Sequence, residues 1–283
     1  MTYINNIMIN KLKLFGLKQI IIEYLRLVFR KFNLDVRRID ANQKKLIYKF
    51  LRKIFIIDSG HKLVRIGKNG DGGYLMPSIL KQIDYCFSAG VGKITSFEDH
   101  LLQYKIKSFL ADGTVNYNGP HDFLKKNINH YNDKKNITLD VWVNKKLKNK
   151  VNNNLLLQMD IEGAEIETLY QTDIEILKRF KCIIIEFHNF DYIVNSLGLK
   201  IYSQIFSKIL KNHLTVHIHP NNSNFSTLIN GCKIPKIMEF TFINKNIIKY
   251  SKPITYKLPH ELDQKNNINL EELILPKIFY TKI

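Results

Sequence analysis

The stretch that most limits what this chain can fold into is Leu155–Glu165, LLLQMDIEGAE. Its apolar run shows no period-two alternation, so it reads as a strand covered on both faces, the mark of a parallel sheet. The run stops abruptly at Asp160, Glu162 and Glu165, placing carboxylates at the C-terminal edge, where open α/β sheets bind their ligands. Gly163 permits a sharp turn, and Ile166, Leu169, Ile174 and Leu177 give Ala164–Lys178 the spacing of a helix. Glu165 and Glu167 are read as acids that complement the dipole of its first turn. Asp160, at the strand tip, is the functional candidate.

A second unbroken apolar strand, Lys181–Ile185, runs into Glu186, Phe187 and His188. Two neighbouring acid-tipped parallel strands are the strongest purely physical signal in the chain. Upstream, Asp84–Glu98 (DYCFSAGVGKITSFE) reads as a strand, a glycine turn at Gly90 and Gly92, and a helix to about Gln103. Such a turn lets a cofactor approach the backbone, and the helix offers its free N–H groups. Ile106–Leu110 makes the next strand and ends in Ala111–Asp112, where an acid about twenty residues after the glycines can accept from a ribose diol. No third glycine stands at dinucleotide spacing, so the turn suits an adenosyl group without a pyrophosphate better than NAD.

Around these motifs, Leu63–Met76 (LVRIGKNGDGGYLM) reads as a hairpin or strand–loop–strand, with Arg65 and Asp71 beside a loop able to cover a ligand. Val115–Asn136 is polar and irregular, with Pro120, His121 and Phe123 as lid candidates. Ile137–Val143 is expected as a third strand and Lys145–Asn154 as a solvated linker. Ile201–Leu210 reads as a helix, Leu214–His219 and Lys236–Ile243 as late strands forming an antiparallel edge, and Leu270–Leu273 as a short helix. The alternation gives an α/β, doubly wound, mostly parallel sheet.

The N-terminal arm, residues 1–58, contains no chemistry, and the remaining domain spans 59–283. Leu12–Phe32 is a basic amphipathic helix: Leu17, Ile20, Ile21, Tyr24, Leu25, Val28 and Phe32 recur at helical spacing, with Lys18, Arg26, Arg30 and Lys31 between them. It can pack on protein, the favoured reading, or lie on an anionic membrane surface. A second helix is expected over Ala41–Phe55. The formal net charge of +18 is mostly lysine amid abundant Asn and Ile, and no nucleic-acid motif accompanies it, so nucleic acid is set aside as a partner. Three cysteines, Cys86, Cys182 and Cys232, leave no even pairing and suit a reducing compartment. No signal peptide or membrane span is visible, and the expected location is cytoplasmic, with peripheral contact at the inner face of the membrane if the arm meets lipid.

The succession GVG with SFE, an acid after the second strand, MDIEGAE, IIIEFH, VHIHPNN and EFTFI resembles the FkbM-type family of S-adenosylmethionine-dependent methyltransferases. It is closest to bacterial members associated with surface polysaccharides. The resemblance implies a Rossmann-like class I methyltransferase fold over about residues 60–280, preceded by the helical arm. It implies that Gly90 and Gly92 border the methionine part of S-adenosyl-L-methionine and that Asp112 holds its ribose, with Ser88, Glu98 and Asp160 in the same cofactor-facing set. Where the family often has an acid soon after the second glycine, this chain has Lys93 and Ile94.

The implied reaction is O-methylation of a sugar hydroxyl on a glycan or glycolipid-linked sugar. Such a hydroxyl needs a base or a metal to lower its pKa. Asp160, Glu186 and His188 are the catalytic candidates, with His188 first as the base. Asp160 and Glu186 are candidate ligands for Mg²⁺ or Mn²⁺. Arg65, Asp71, His217, His219 and Asn221 are the substrate-binding candidates, the two histidines sharing one strand face. The alternative is a non-catalytic methyltransferase-like module that binds a glycan or partner through the same crevice.

Overall fold

The computed structural model describes residues 21, 24–25, 27–29, 41–148, 152–224, 226–229 and 232–280. It divides into two compact units, 1–41 and 42–283. In the first, Ile21, Tyr24, Leu25, Leu27, Val28 and Phe29 are helical. The other residues of the helix predicted over 12–32, the turn expected at 33–40 and positions 149–151 of the expected linker lie outside the described residues. Among the described residues no helix is long and apolar enough to cross a membrane.

The second unit opens with α1 (Ala41–Lys53), whose Phe50 packs on Phe190 and Phe206 at ring separations of 6.3 and 5.4 Å. After β1 (Ile57–Asp58) comes the hairpin β2 (Leu63–Ile66) and β3 (Tyr74–Pro77), paired antiparallel. The central sheet then builds from β4 (Tyr85–Ala89), α2 (Ser96–Gln103), β5 (Lys107–Ala111) and β6 (Asp122–Leu124). A small parallel pair, β7 (Asn127–Ile128) and β8 (Asn136–Ile137), leads into α3 (Leu139–Lys146). Next are β9 (Leu155–Met159), α4 (Glu165–Gln171), α5 (Ile174–Lys178), β10 (Phe180–Phe187), α6 (Ser196–Asn212) and β11 (His213–Pro220). The hairpin β12 (Ser226–Ile229) and β13 (Cys232–Pro235) precedes β14 (Met238–Asn244), and β15 (Lys252–Pro253) pairs with β1.

The seven-stranded sheet has the order β11-β14-β10-β9-β4-β5-β6. Strands β10, β9, β4, β5 and β6 are parallel, and β14 inserts antiparallel between β10 and β11. The two late strands thus do pair antiparallel at this edge, but the outermost, β11, runs with the body of the sheet. This is an α/β, Rossmann-like sheet. Every residue of β9 is buried, as its unalternating apolar run requires. On one face, Phe187, Phe190, Tyr202, Phe206 and Phe240 form an aromatic core. Cys86 and Cys182 are free and fully buried, acting as small apolar residues within the sheet.

Five readings from the sequence differ from the structure. The third strand expected at Ile137–Val143 is mostly helix α3: Thr138 caps it by accepting from the Val141 N–H, and Leu139, Trp142 and Val143 are buried at helical spacing. Lys145 and Lys146, assigned to a linker, close that helix. The helix expected over Ala164–Lys178 breaks at Thr172, whose hydroxyl donates to the Thr168 carbonyl, and restarts when Asp173 caps α5. Leu270–Leu273 is not helical, and the irregular stretch after Val115 contributes the edge strand β6.

Candidate active site

Three strand tips meet at one point. The Gly90 N–H donates to the Ala111 carbonyl at 2.9 Å, and the Asp160 N–H donates to the Ala89 carbonyl at 3.0 Å. Gly90 has φ +79°, and a Cβ there would lie 2.7 Å from the Asp160 carbonyl carbon and closer still to its oxygen. Only glycine fits this approach. Gly92, at φ +57°, turns the chain again, and its N–H donates to Asp112 Oδ2 at 3.0 Å. Asp112 Oδ1 accepts from the Thr114 N–H and hydroxyl, both at 2.6 Å, and from the Val115 N–H at 3.3 Å. Burial pushes the Asp112 carboxyl up, but these hydrogen bonds prevail and hold it below the usual carboxylate range.

Two cavities open beside this junction. One, of about 280 Å³, is lined by Asp112, Thr114, Asn127, Ile128 and Asn129 among others. The second, of about 270 Å³, is lined by Lys68, Asp71, Tyr74, Lys93, Glu98 and Gln158. Gly90, Gly92, Asp160 and Glu162 line both, so Asp160 stands where the two cavities meet.

Asp160 Oδ1 is buried without a hydrogen-bond partner, and Oδ2 lies 3.5 Å from the Tyr74 hydroxyl. Burial, reinforced by the charges of Glu162, Glu165 and Asp71 and opposed by His188, raises this carboxyl to about 7. His188 sits just beyond β10, with its Nε2 3.9 Å from Asp160 Oδ1 and 3.3 Å from Glu162 Oε2. Its Nδ1 lies 3.0 Å from Glu165 Oε1. Burial lowers the imidazole pKa, but the Glu165 hydrogen bond and the charges of Glu165, Asp160 and Glu162 win and raise it.

Glu165 is the residue that sequence reasoning undervalued. Rather than merely complementing a helix dipole, it is fully buried, and its Oε1 accepts from the Ile161 N–H at 3.0 Å and the Gly163 N–H at 3.2 Å. It therefore braces the turn in which Glu162 and Gly163 have positive φ, and it orients His188. Its position in the sequence, an acid five residues past a strand tip at the start of a helix, does not separate this role from dipole complementation. Glu167, by contrast, reaches exposed His130 at 3.0 Å.

The other predicted residues take separate places. Glu186, in β10, is buried; its Oε1 accepts from the Asn221 amide at 2.8 Å, while Oε2 has no hydrogen-bond partner. Burial, then the charges of Asp160 and of its cross-strand neighbour Glu239, raise its carboxyl well above the usual range. Ser88 is buried between Glu98, to which it hydrogen-bonds, and Gln158 at 2.6 Å. Burial raises the Glu98 carboxyl. Arg65 is fastened to backbone carbonyls, with Nε donating to Lys68 at 3.1 Å and Nη2 to Gly70 at 2.7 Å. Asp71 lines the second cavity.

His217 and His219 are buried and engaged by the C-terminal segment. His217 Nε2 lies 2.9 Å from Asp263 Oδ1. His219 lies 3.4 Å from Glu239 Oε2 and 3.3 Å from Glu272 Oε1. Neither lines either cavity at Asp160. Among the described residues, the acidic and imidazole groups that converge closely enough to share an ion are Asp160, Glu165 and His188, with ligand atoms within 4.8 Å of one another; Glu186 is not in that group.

Such an arrangement can take a ligand against bare backbone at the glycine turn, with carboxylate and amide acceptors beside it and the Asp160 carboxylate between the two cavities. Comparison with curated proteins finds no match. The methyltransferase FkbM domain matches residues 74–213, which contain the glycine turn, Asp112, Asp160, Glu165, Glu186 and His188. Residues 74–213 are thus a methyltransferase domain of the FkbM family.

Proposed function

We propose that the chain is an S-adenosylmethionine-dependent O-methyltransferase that methylates a sugar hydroxyl of a surface glycan or of its precursor. The observation that carries this reading is Asp160, a half-buried carboxylate whose Oδ1 is buried without a hydrogen-bond partner at the boundary of two cavities. The first cavity suits the adenosyl donor. A Cβ on Gly92 would meet nothing within 4 Å, so the glycine turn is open there, Asp112 Oδ2 accepts one hydrogen bond and keeps a lone pair, and Asn127 and Asn129 add amide groups.

Bound S-adenosylmethionine supplies a methyl group on a positive sulfur, so the protein's task is alignment and removal of one proton. Asp160, with a carboxyl near 7, is matched to accept that proton at neutral pH. His188, fixed by Glu165 on Nδ1, turns Nε2 toward the Asp160 and Glu162 carboxylates and steadies the charge there. The alternative activation is by a divalent ion: Asp160 Oδ1 and Glu165 Oε2 are both buried without hydrogen-bond partners, and with His188 they suit Mg²⁺ or Mn²⁺.

Contact of the basic helix predicted over 12–32 with the inner face of the cytoplasmic membrane is the companion proposal for a lipid-linked sugar. A second reading, a non-catalytic binding module, draws support from Lys93 and Ile94 after the glycine turn and from Asp112 Oδ1, which the chain's own loop already occupies with three hydrogen bonds.

The test is methyl transfer from radiolabelled S-adenosylmethionine to polysaccharide and lipid-linked precursor fractions, with the product sugars identified by mass spectrometry. An O-methyl sugar is expected, its formation slowed about 100-fold or more by Asp160→Asn. Label in protein or amine acceptors alone would refute the glycan reading, and no label in any acceptor would favour the binding module. Loss of activity in a chelator, restored by Mg²⁺ or Mn²⁺, would assign activation to the ion.

A further inference from the structure

The largest of the described cavities is not at Asp160. It measures about 530 Å³ and is lined by residues 57–63, which lead into the β2–β3 hairpin, by Val216 and by residues of the segment 250–262. Its wall includes Tyr250 and Tyr256, and its polar groups include Asp58, His61, Lys62 and Glu261.

We infer that this cavity is a second saccharide subsite, which holds sugar residues of the acceptor away from the one being methylated. The chemistry of the wall selects the ligand. Among the charged residues of the lining, Asp58 and Glu261 outnumber Lys62, a balance that does not favour a phosphate or another anion. Burial and the neighbouring His217 hold the His260 imidazole below its usual pKa, so it too brings no positive charge at neutral pH. Tyrosines beside mixed donors and acceptors suit a neutral, hydroxyl-rich molecule with apolar ring faces.

Part of the wall is already built. Asp58 accepts from the Gly60 N–H at 2.8 Å and from the Tyr250 hydroxyl at 3.2 Å, and the Tyr256 ring meets His260 edge-on at 4.8 Å. Part of it is free. Among the described residues, the Lys62 ammonium and the Glu261 carboxylate have neither a hydrogen bond nor an ion pair, and His61 engages the Ile247 carbonyl through Nε2 alone, leaving Nδ1 open.

The position fits an extended acceptor. Lys62 and Leu63 line this cavity, and Lys68 and Asp71, farther along the same hairpin, line the cavity at Asp160. The three strand steps of β2, from Leu63 to Ile66, cover about 10 Å. Arg65, which lies along β2 between the residues that line the two cavities, donates from Nη1 to the Leu262 carbonyl at 3.5 Å, and the ring of His217, next to the lining residue Val216, is 6.2 Å from that of His260. A single sugar would reach only one cavity, whereas a chain of sugars would engage both.

The inference rests on the glycan reading above, and its test separates the two. Saturation-transfer NMR is run on the full chain with methyl glycosides of glucose, galactose, mannose, rhamnose and N-acetylglucosamine. Transfer to at least one is expected, reduced threefold or more by Lys62→Ala and by Tyr250→Ala and unchanged by Asp160→Asn. A circular-dichroism melt confirms that each variant is folded. Transfer lost in Asp160→Asn but kept in both cavity variants would overturn the second subsite and leave the glycan reading standing. Transfer that follows the cavity variants, from a chain that methylates no glycan, would keep the subsite and refute the glycan methyltransferase. No transfer to any of the five sugars would overturn the subsite.

Discussion

Replacing Gly90 by alanine tests how the crevice is built. Its φ of +79° disfavours any L-residue, at about 1–2 kcal/mol. The new Cβ would meet the Asp160 carbonyl carbon at 2.7 Å and its oxygen more closely, where real Cβ atoms keep at least 3.0 Å. The backbone must therefore separate at the junction held by the Gly90–Ala111 bond of 2.9 Å and the Asp160–Ala89 bond of 3.0 Å. Leaving one such buried group unsatisfied costs about 1–3 kcal/mol. The sum, about 2–5 kcal/mol, is a large fraction of the roughly 5–15 kcal/mol that holds an ordinary domain together. The same displacement shifts Asp160, and a misplacement of about 1 Å can reduce catalysis by about 100-fold. Urea unfolding with an unchanged slope should show the lower midpoint, and calorimetry should show weakened binding of S-adenosylhomocysteine. A variant within about 0.5 kcal/mol of the parent, with ligand affinity intact, would refute the reasoning.

Two further perturbations follow from the surrounding structure. Burial lowers the His219 imidazole pKa, but Glu239, Glu272 and Asp263 overcome it and raise it to about 10, above about 6.5 in an unfolded chain, so the native state holds the extra proton between those values. That stabilisation is complete below about pH 6.5 and disappears as pH rises through about 10; unfolding free energy should fall over this interval by up to about 4 kcal/mol more than in His219→Gln. Equal slopes in the two proteins would contradict it. The Lys208 ammonium donates to the carbonyls of Leu169 at 3.0 Å, Tyr170 at 2.6 Å and Thr172 at 2.9 Å, at the C-terminal end of α4. Lys208→Met, which keeps the apolar stem, should lower stability by about 1–2 kcal/mol in the same urea assay, and an unchanged midpoint would show that water replaces these bonds without loss.

The central sheet was legible because burial on both faces removes alternation. Leu155–Met159 and Phe180–Phe187 could be little else, and the acids at their tips followed directly. Shorter elements were not legible. Strand β6 is three residues inside a polar stretch and owes its existence to pairing with β5. The β-branched run around Val141 imitates a strand, but the Thr138 cap and the burial of Trp142 decide for helix.

In the site, Gly90, Asp112, Asp160 and His188 could be proposed from their positions at strand ends. Glu165 could not, because an acid in the first turn of a helix has an ordinary explanation, and only its complete burial against two N–H groups and His188 shows otherwise. The engagement of His217 by Asp263 and of His219 by Glu272 was equally hidden, since each contact joins residues more than forty positions apart.

The most direct test of the account is calorimetric titration of the full chain with S-adenosylhomocysteine, in parallel with Asp112→Ala checked for folding by circular dichroism. Micromolar binding to the parent chain, weakened at least tenfold in the folded variant, is the predicted result. No heat at millimolar ligand, or equal affinity in the two proteins, would contradict a cofactor site at the Gly90–Asp112 junction.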